Sequence, residues 1–272
     1  MKNKLSMKKI LLPFLSIIIL NSCKDDVAAN TENPMVVNKE PAILSYTVTN
    51  VYPHDTSAYT EGLEWHDGKL YESTGLLNKS KLAAVDVATG KDIQTIRFPE
   101  FGEGITILNG KLFQLTYTEN KCFVYDAKTL KKIKEFTYDG EGWGMTNNGK
   151  QLIMNNGGDK LYFRDPETFK VMNIVSVTDN YGPVAKINEL EWVDGIIYSN
   201  IWETNTIITI NPESGKVIGK VDMTNLINQY LPEMVEKGPR EGALLNGIAY
   251  DSAGKRFFIT GKLWPKMFEV KF

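Results

Sequence analysis

A unit of roughly 40–45 residues recurs along the chain, and this repeat constrains the fold more than any other feature. Five apolar anchors, Leu63, Ile105, Met145, Leu190 and Ile248, stand 42, 40, 45 and 58 residues apart. Each is followed by a turn ending in glycine (Gly68, Gly110, Gly149, Gly195, Gly254) and a second short apolar run, such as Leu70-Tyr71-Glu72-Ser73 or Leu112-Phe113-Gln114-Leu115. Four units then carry a turn opened by Asp or Asn, at Asp86, Asp126, Asp165 and Asn211. Asp, Asn, Pro and Gly accept the dihedrals of tight turns. Each of these turns leads into an alternating segment such as Ile93-Gln94-Thr95-Ile96-Arg97-Phe98. Period-two alternation marks a half-buried strand. Four short strands per unit is the arithmetic of a propeller blade. The 272 residues also suit one large all-β domain. The expected fold is therefore all-β, a five-bladed β-propeller over residues 42–272. The last unit stops one strand short, at Phe268–Phe272. The run Ile43–Val48 is expected to supply the missing strand and close the ring, leaving fewer open sheet edges. The long last spacing contains Leu226, Ile227, Tyr230, Leu231 and Met234, which predict a short helix or lid beside the channel over 225–241.

The first 22 residues read as an address. Lys2, Lys4, Lys8 and Lys9 precede an apolar stretch, Ile10–Leu20, that is too short to span a membrane. This is the pattern of a secretory signal peptide. It ends in Leu20-Asn21-Ser22-Cys23, which resembles the lipobox of bacterial lipoproteins. The expectation is a signal peptide over 1–22, lipidation at Cys23 and a polar tether over 23–41. The protein is then exported and held on a membrane by its lipid alone, facing the periplasm or the cell surface. Loss of four lysines moves the formal charge from -2 to -6, which argues against a nucleic-acid partner. Two His and two Cys are too few for an ordinary His/Cys zinc site or a disulfide scaffold. With Cys23 lipidated, Cys122 reads as a small buried hydrophobe.

Rotation about a propeller axis turns equivalent positions into rings. Two residues before the anchors stand Glu61, Glu103, Trp143, Asn188 and Asn246. Seven residues after the turn glycines stand Gly75, Tyr117, Asn156 and Trp202, and one extra residue in the fifth turn brings in Lys262. Singly, such residues serve packing as readily as function. As a set they describe an aromatic-walled pocket with a few polar groups, the usual form of a small-ligand site. Buried carboxylates are costly unless paired or used. His54 and His66 have no metal partner in sequence, and Trp65, Trp192 and Trp264 read as packing between blades.

Several motifs, in order, carry a family resemblance: Tyr59-Thr60-Glu61-Gly62-Leu63, Tyr71-Glu72-Ser73-Thr74-Gly75, Phe101-Gly102-Glu103-Gly104, Gly142-Trp143-Gly144, Asn188-Glu189-Leu190-Glu191, Asn200-Ile201-Trp202, Leu245-Asn246-Gly247-Ile248-Ala249-Tyr250 and Thr260-Gly261-Lys262-Leu263-Trp264-Pro265. From about His54 to Phe272 the chain resembles the glutamine cyclotransferase family, the plant and bacterial glutaminyl-peptide cyclotransferases. The resemblance implies a five-bladed propeller that converts the N-terminal glutamine of a peptide or protein to pyroglutamate and releases ammonia. It implies Glu103 as the catalytic proton shuttle, with Gly102 and Gly104 allowing close approach of substrate. It implies Phe101, Trp143 and Trp202 as pocket walls, and Asn188 and Lys262 as ligands of substrate or oxyanion. Neither a metal nor a cofactor is implied, and a monomer suffices. Tyr59, Glu61 and Tyr117 fall at substrate-binding positions but depart from the family pattern. That pattern usually reads Phe-Thr-Gln-Gly-Leu where Tyr59–Leu63 stand, and has Trp in place of Tyr117. Glu61 adds a second acid to the ring of Glu103, and like charges at close range raise a carboxyl pKa.

Two other classes fit the same residues. A lipid-anchored propeller could capture a peptide or small ligand without chemistry, since one fold hosts many functions. A metal-dependent hydrolase could draw ligands from Glu61, Glu103, Asn188 and Asn246.

Overall fold

The computed structural model describes residues 40–236 and 242–272. The expected signal peptide, Cys23 and nearly all of the tether lie outside the described residues, as does the end of the 225–241 segment. Five sheets, each with four antiparallel strands, surround a common axis, and one of them carries a short fifth strand. Blade 1 runs outward through Thr60–His66, Lys69–Thr74, Ser80–Asp86 and Lys91–Phe98. Blade 2 repeats this with Gly102–Leu108, Lys111–Thr116, Lys121–Asp126 and Lys132–Thr137. Blade 3 has short inner strands, Met145–Asn147 and Leu152–Met154, then Lys160–Arg164 and Val171–Ser176. Blade 4 consists of Ile187–Val193, Ile196–Ile201, Thr206–Ile210 and Val217–Asp222. Blade 5 takes Leu245–Asp251, Arg256–Gly261 and Lys266–Lys271 from the end of the chain.

The repeated turn motifs have a local cause. Oδ1 of Asp86, Asp126, Asp165 and Asn211 accepts the backbone N–H of Ala88, Thr129, Thr168 and Ser214 at 2.8–2.9 Å. This side-chain turn reverses the chain between the third and fourth strands. Between first and second strands, Asp67-Gly68, Asn109-Gly110 and Asp194-Gly195 all have positive φ, as a two-residue primed hairpin requires.

The fourth strand of blade 5 is Thr47–Pro53, antiparallel to Lys266–Lys271. The strand expected over Ile43–Val48 is thus displaced toward the C-terminus. Ala42–Ile43 instead pairs parallel with the outer strand of blade 4, and Leu44 N–H donates to Lys220 O at 2.9 Å. Leu44 and Tyr46 pack against the apolar layer between blades 4 and 5, which takes them out of the ladder.

Apolar side chains fill each interface between neighbouring blades. Tyr71, Leu82 and Ala84 of blade 1 meet Ile105, Leu112 and Phe123 of blade 2. Leu63, Leu70 and Val85 meet Ala249, Phe258 and Met267 of blade 5, with Trp65 stacked on Phe258 at 4.8 Å. Trp264 is fully buried, and Trp192 packs between blades 3 and 4. Cys122 is buried, and burial pushes its thiol pKa up. The expected helical segment is two short helices, Thr224–Tyr230 and Pro232–Glu236, whose Leu226 and nearby Leu231 are buried between blades 4 and 5.

His54 follows the closing strand and fixes it. Its Nε2 lies 2.9 Å from Glu72 Oε1 and its Nδ1 2.7 Å from Trp264 O. Both ring nitrogens face acceptors, so the protonated ring satisfies both. Burial opposes that charge, but Glu72 and the Trp264 carbonyl outweigh it and raise the His54 pKa. Burial likewise opposes the Glu72 carboxylate, yet His54, Thr60 and Lys81 hold it below its ordinary value. For the raised His54, the contribution is complete below its unfolded value of about 6.5 and fades as pH rises through the folded one. For the depressed Glu72, it is complete above about 4.3 and fades as pH falls through the folded value. His54→Gln is therefore expected to cost about 3 kcal/mol near pH 5.5. The difference from wild type should shrink toward alkaline pH in denaturant unfolding, and a pH-independent difference would remove the charged pair from this account.

Candidate active site

The nine residues expected to form the site line one cavity of about 180 Å³. The first strand of a blade starts, and the second ends, at the same end of a hairpin. Tyr59, Glu61, Phe101, Glu103, Trp143 and Asn188 come from at or just before the inner-strand starts of blades 1 to 4. Tyr117, Trp202 and Lys262 follow the second strands of blades 2, 4 and 5. The hairpin geometry common to the blades therefore delivers side chains from all five to one end of the channel.

Aromatic rings make the walls. Phe101 meets Tyr59 edge-on at 6.2 Å and Tyr117 at 5.7 Å, and Trp143 meets Trp202 edge-on at 5.4 Å. Three ring members stay off the wall. A Cβ on Gly75 would collide with the Phe101 ring, so glycine there leaves room for that ring. Asn156 does not line the cavity. Asn246 donates to Thr60 O at 3.0 Å and to Glu61 Oε2 at 3.2 Å. The helices over 224–236 contribute no lining residue, although Gly242 beyond them lies against Tyr59.

Gly102 and Gly104 serve backbone packing rather than the approach of substrate. A Cβ on Gly102 would stand 2.7 Å from Thr74 O, and one on Gly104 2.5 Å from both Trp143 O and Met145 N. Inner strands of adjacent blades come too close there for a side chain, and this closeness sets the position of Glu103.

Three buried charged groups meet in the cavity. Lys262 Nζ lies 2.6 Å from Glu61 Oε1 and 4.6 Å from the Tyr59 ring centre. Burial opposes the ammonium, but Glu61 and Glu103 outweigh it, and the Lys262 pKa is raised. Burial raises Glu61 in spite of Lys262. Burial also drives Glu103 well above the carboxylate range, helped by the charges of Glu61, Glu141 and Glu119 and opposed by Lys262. Among the described residues, no hydrogen bond or ion pair reaches the Glu103 carboxylate. A carboxyl held in this way keeps its proton to higher pH than an ordinary carboxylate and has bonding capacity left for a ligand.

Glu119 and Glu141 are neighbours of the cavity that the ring arithmetic missed. Glu141 Oε2 accepts the Trp143 indole N–H at 2.9 Å, and Glu119 Oε1 accepts Phe101 N–H at 3.1 Å. Each therefore holds a wall residue and adds negative charge toward Glu103. Their signal in sequence was spacing: each lies two residues from a ring position, Tyr117 or Trp143.

The glutamine cyclotransferase family model matches residues 16–272. The chain belongs to the glutamine cyclotransferase family. A glutaminyl-peptide cyclotransferase of Arabidopsis thaliana is 38% identical over 224 residues, covering 81% of this chain and 69% of that protein. The crystal structure of Myxococcus xanthus glutaminyl cyclase superposes with a TM-score of 0.79 at 34% identity, covering 85% of this chain and 98% of the other. The cyclotransferase fold of this chain thus includes the cavity and all nine of its lining residues.

Gly104→Ala tests the close approach that positions Glu103. Forcing a methyl group against backbone should lower unfolding stability by about 2 kcal/mol. Gly158→Ala, whose Cβ would meet only Asn156 Oδ1 at 3.2 Å, is expected to stay within about 0.5 kcal/mol of wild type. Equal midpoints for the two variants in denaturant would remove the packing role of Gly104.

Proposed function

We propose that this cyclotransferase converts the N-terminal glutamine of peptides or proteins to pyroglutamate with release of ammonia, and that Glu103 shuttles the proton. The observation that carries this reading is the buried Glu103 carboxyl, unpartnered at the wall of an aromatic cavity in a chain of this family. The neutral α-amine attacks the side-chain amide carbon and closes a five-membered ring. Glu103 takes one proton from the attacking nitrogen and returns it to the departing amide nitrogen, which leaves as ammonia. The carboxylate ends as it began, so protons balance within one turnover.

Because nucleophile and electrophile belong to the same residue, much of the barrier is met by holding them in one conformer. Phe101, Trp143 and Trp202 provide walls of fixed shape that exclude the water able to hydrolyse the amide. Tyr59 and Tyr117 extend that wall toward the peptide. Asn188 and the spare N–H groups of Lys262 serve the developing oxyanion. The lining residues include neither His nor Cys, and among the described residues no group of three His, Cys, Asp or Glu has a metal-binding arrangement.

With a Gln-bearing peptide, Glu103→Gln is expected to lower kcat/KM at least 100-fold, read as ammonia release and the matching mass loss. Chelation should leave the wild-type rate unchanged. Activity requires ionised Glu103, whose pKa is raised, so turnover should fall as pH drops through a limb well above about 4.3. Full turnover by Glu103→Gln, or loss of turnover on chelation, would overturn the shuttle. No turnover by folded wild-type protein would favour a binding propeller.

Export and anchoring through Cys23, with the propeller acting as a monomer at a membrane surface, complete the proposal; the charged, apolar and cysteine elements of residues 1–23 support it. Cys23→Ser should move the protein from the membrane fraction to the soluble fraction and abolish incorporation of a labelled fatty acid. Unchanged labelling in that variant would end the lipoprotein reading.

A further inference from the structure

Lys262 is the sole cation among the residues that line the cavity, and two carboxylates, Glu61 and Glu103, line it as well. A lysine ammonium on its flexible stem pairs with whichever anion it reaches. Here it sits on Glu61 Oε1 at 2.6 Å, while Glu61 Oε2 is held by Asn246 Nδ2 at 3.2 Å. Glu61, Lys262 and Asn246 are all buried, so water does not screen the pair. No such pair reaches Glu103 among the described residues. The other titratable groups that act on Glu103 or feel it are Glu119, Glu141, Tyr117 and Tyr138. The two acids oppose ionisation of Glu103, as Glu61 does, and burial keeps both phenols neutral. Burial and Glu61 hold the Glu103 proton on, and Lys262 is the one cavity-lining charge that favours the carboxylate, so its position bears directly on how basic Glu103 is.

We propose that Glu61 is a positioning residue that holds the Lys262 ammonium on itself, leaving Glu103 without a cation and free to accept the substrate's proton. This rests on the reading of Glu103 as the base. A neutral amide at position 61 would still bond to Lys262 but would not hold its charge. Lys262 would then turn toward Glu103 as the remaining anion of the cavity. Glu61 thus acts through Lys262, and its effect should appear in proton affinity more than in substrate binding.

Two substitutions with opposite expected signs test this. In Glu61→Gln the acid limb of kcat/KM should move down by about one pH unit, with a lower plateau kcat and little change in KM. In Lys262→Met, which leaves two carboxylates facing one another, the limb should move up. An infrared titration of the substrate-free protein, assigned by the band lost in Glu103→Gln, should show the same two shifts. Glu61→Asp keeps the charge but shortens its reach, so it should shift the limb down by less; it also carries the test where Glu61→Gln does not fold. A purely structural Glu61 would lower stability and move neither the limb nor the infrared titration. An unshifted Glu61→Gln titration, or a shift of the same sign in both variants, overturns the proposal. If wild-type protein releases no ammonia yet the infrared shifts carry the expected signs, the pairing stands and the reading of the reaction falls.

Discussion

Five inner strands converge on one axis, and the backbone groups they turn toward one another must find hydrogen-bond partners there. Glu189 meets much of that demand. Its Oε1 accepts Leu63 N–H of blade 1 at 3.3 Å and its Oε2 accepts Ile248 N–H of blade 5 at 2.9 Å. Two residues on, Glu191 accepts Tyr250 N–H at 2.9 Å, and Asn200 Oδ1 accepts Gly247 N–H at 3.0 Å. Glu64 of blade 1 accepts the Thr106 hydroxyl of blade 2 at 2.9 Å. Side chains therefore do at the axis what ladder partners do within a blade. Apolar layers supply the attraction between blades, but the bonds to Glu189 and Asn200 fix how blades 4, 5 and 1 are placed around the axis.

The same axis explains why a symmetric scaffold yields an asymmetric site. One offset, two residues before the anchor, holds Glu61, Glu103, Trp143, Asn188 and Asn246. Backbone geometry brings each to the same height, and side-chain chemistry then separates them. Glu61 is committed to Lys262 and Asn246 is committed to Glu61, whereas Glu103 is left without a partner. Burial acts on the acids at the axis and at the cavity alike, but hydrogen bonding divides them. Glu189 is satisfied by amides and serves the fold, while the Glu103 carboxyl keeps its bonding capacity for a ligand.

Much of this was legible in the sequence because the repeat converts spacing into position. Blade number, the strand pairs and seven of the nine lining residues follow from two offsets, one before the anchors Leu63, Ile105, Met145, Leu190 and Ile248 and one after the turn glycines, while Tyr59 and Phe101 come from the family motifs. The offsets could not say which ring members would turn away. Gly75 yields its place to Phe101, and Asn246 is drawn off by Thr60 and Glu61. Nor could they reveal that Gly102 and Gly104 serve backbone contact, since a gap for substrate and a gap for a neighbouring strand both read as glycine. The closing strand was misplaced by a few residues because Leu44 and Tyr46 are apolar and read as strand. Their packing, partly buried, against the layer between blades 4 and 5 is a tertiary fact with no local signature. The roles of Glu119 and Glu141 depend on partners in space, Phe101 N–H and the Trp143 indole, outside the two offsets that were followed.

Burying so many acids sets opposing demands on the fold. A carboxyl with a raised folded pKa keeps its proton where the unfolded chain has lost it. Its contribution is therefore most favourable below about 4.3 and declines as pH rises toward the folded value. Burial raises Glu64 to about 8, and Glu189 and Glu191 also lie well above the ordinary range. These groups are better accommodated protonated, whereas Glu72 is held as a carboxylate by His54. A charged pair thus anchors the chain just beyond the closing strand, and the axis carries acids that resist ionisation. Glu103 belongs electrostatically with the axis but lacks its amide bonds. The environment that makes it a useful proton carrier is the one the fold already maintains around its centre, with Lys262 displaced onto Glu61 as the adjustment made at the cavity.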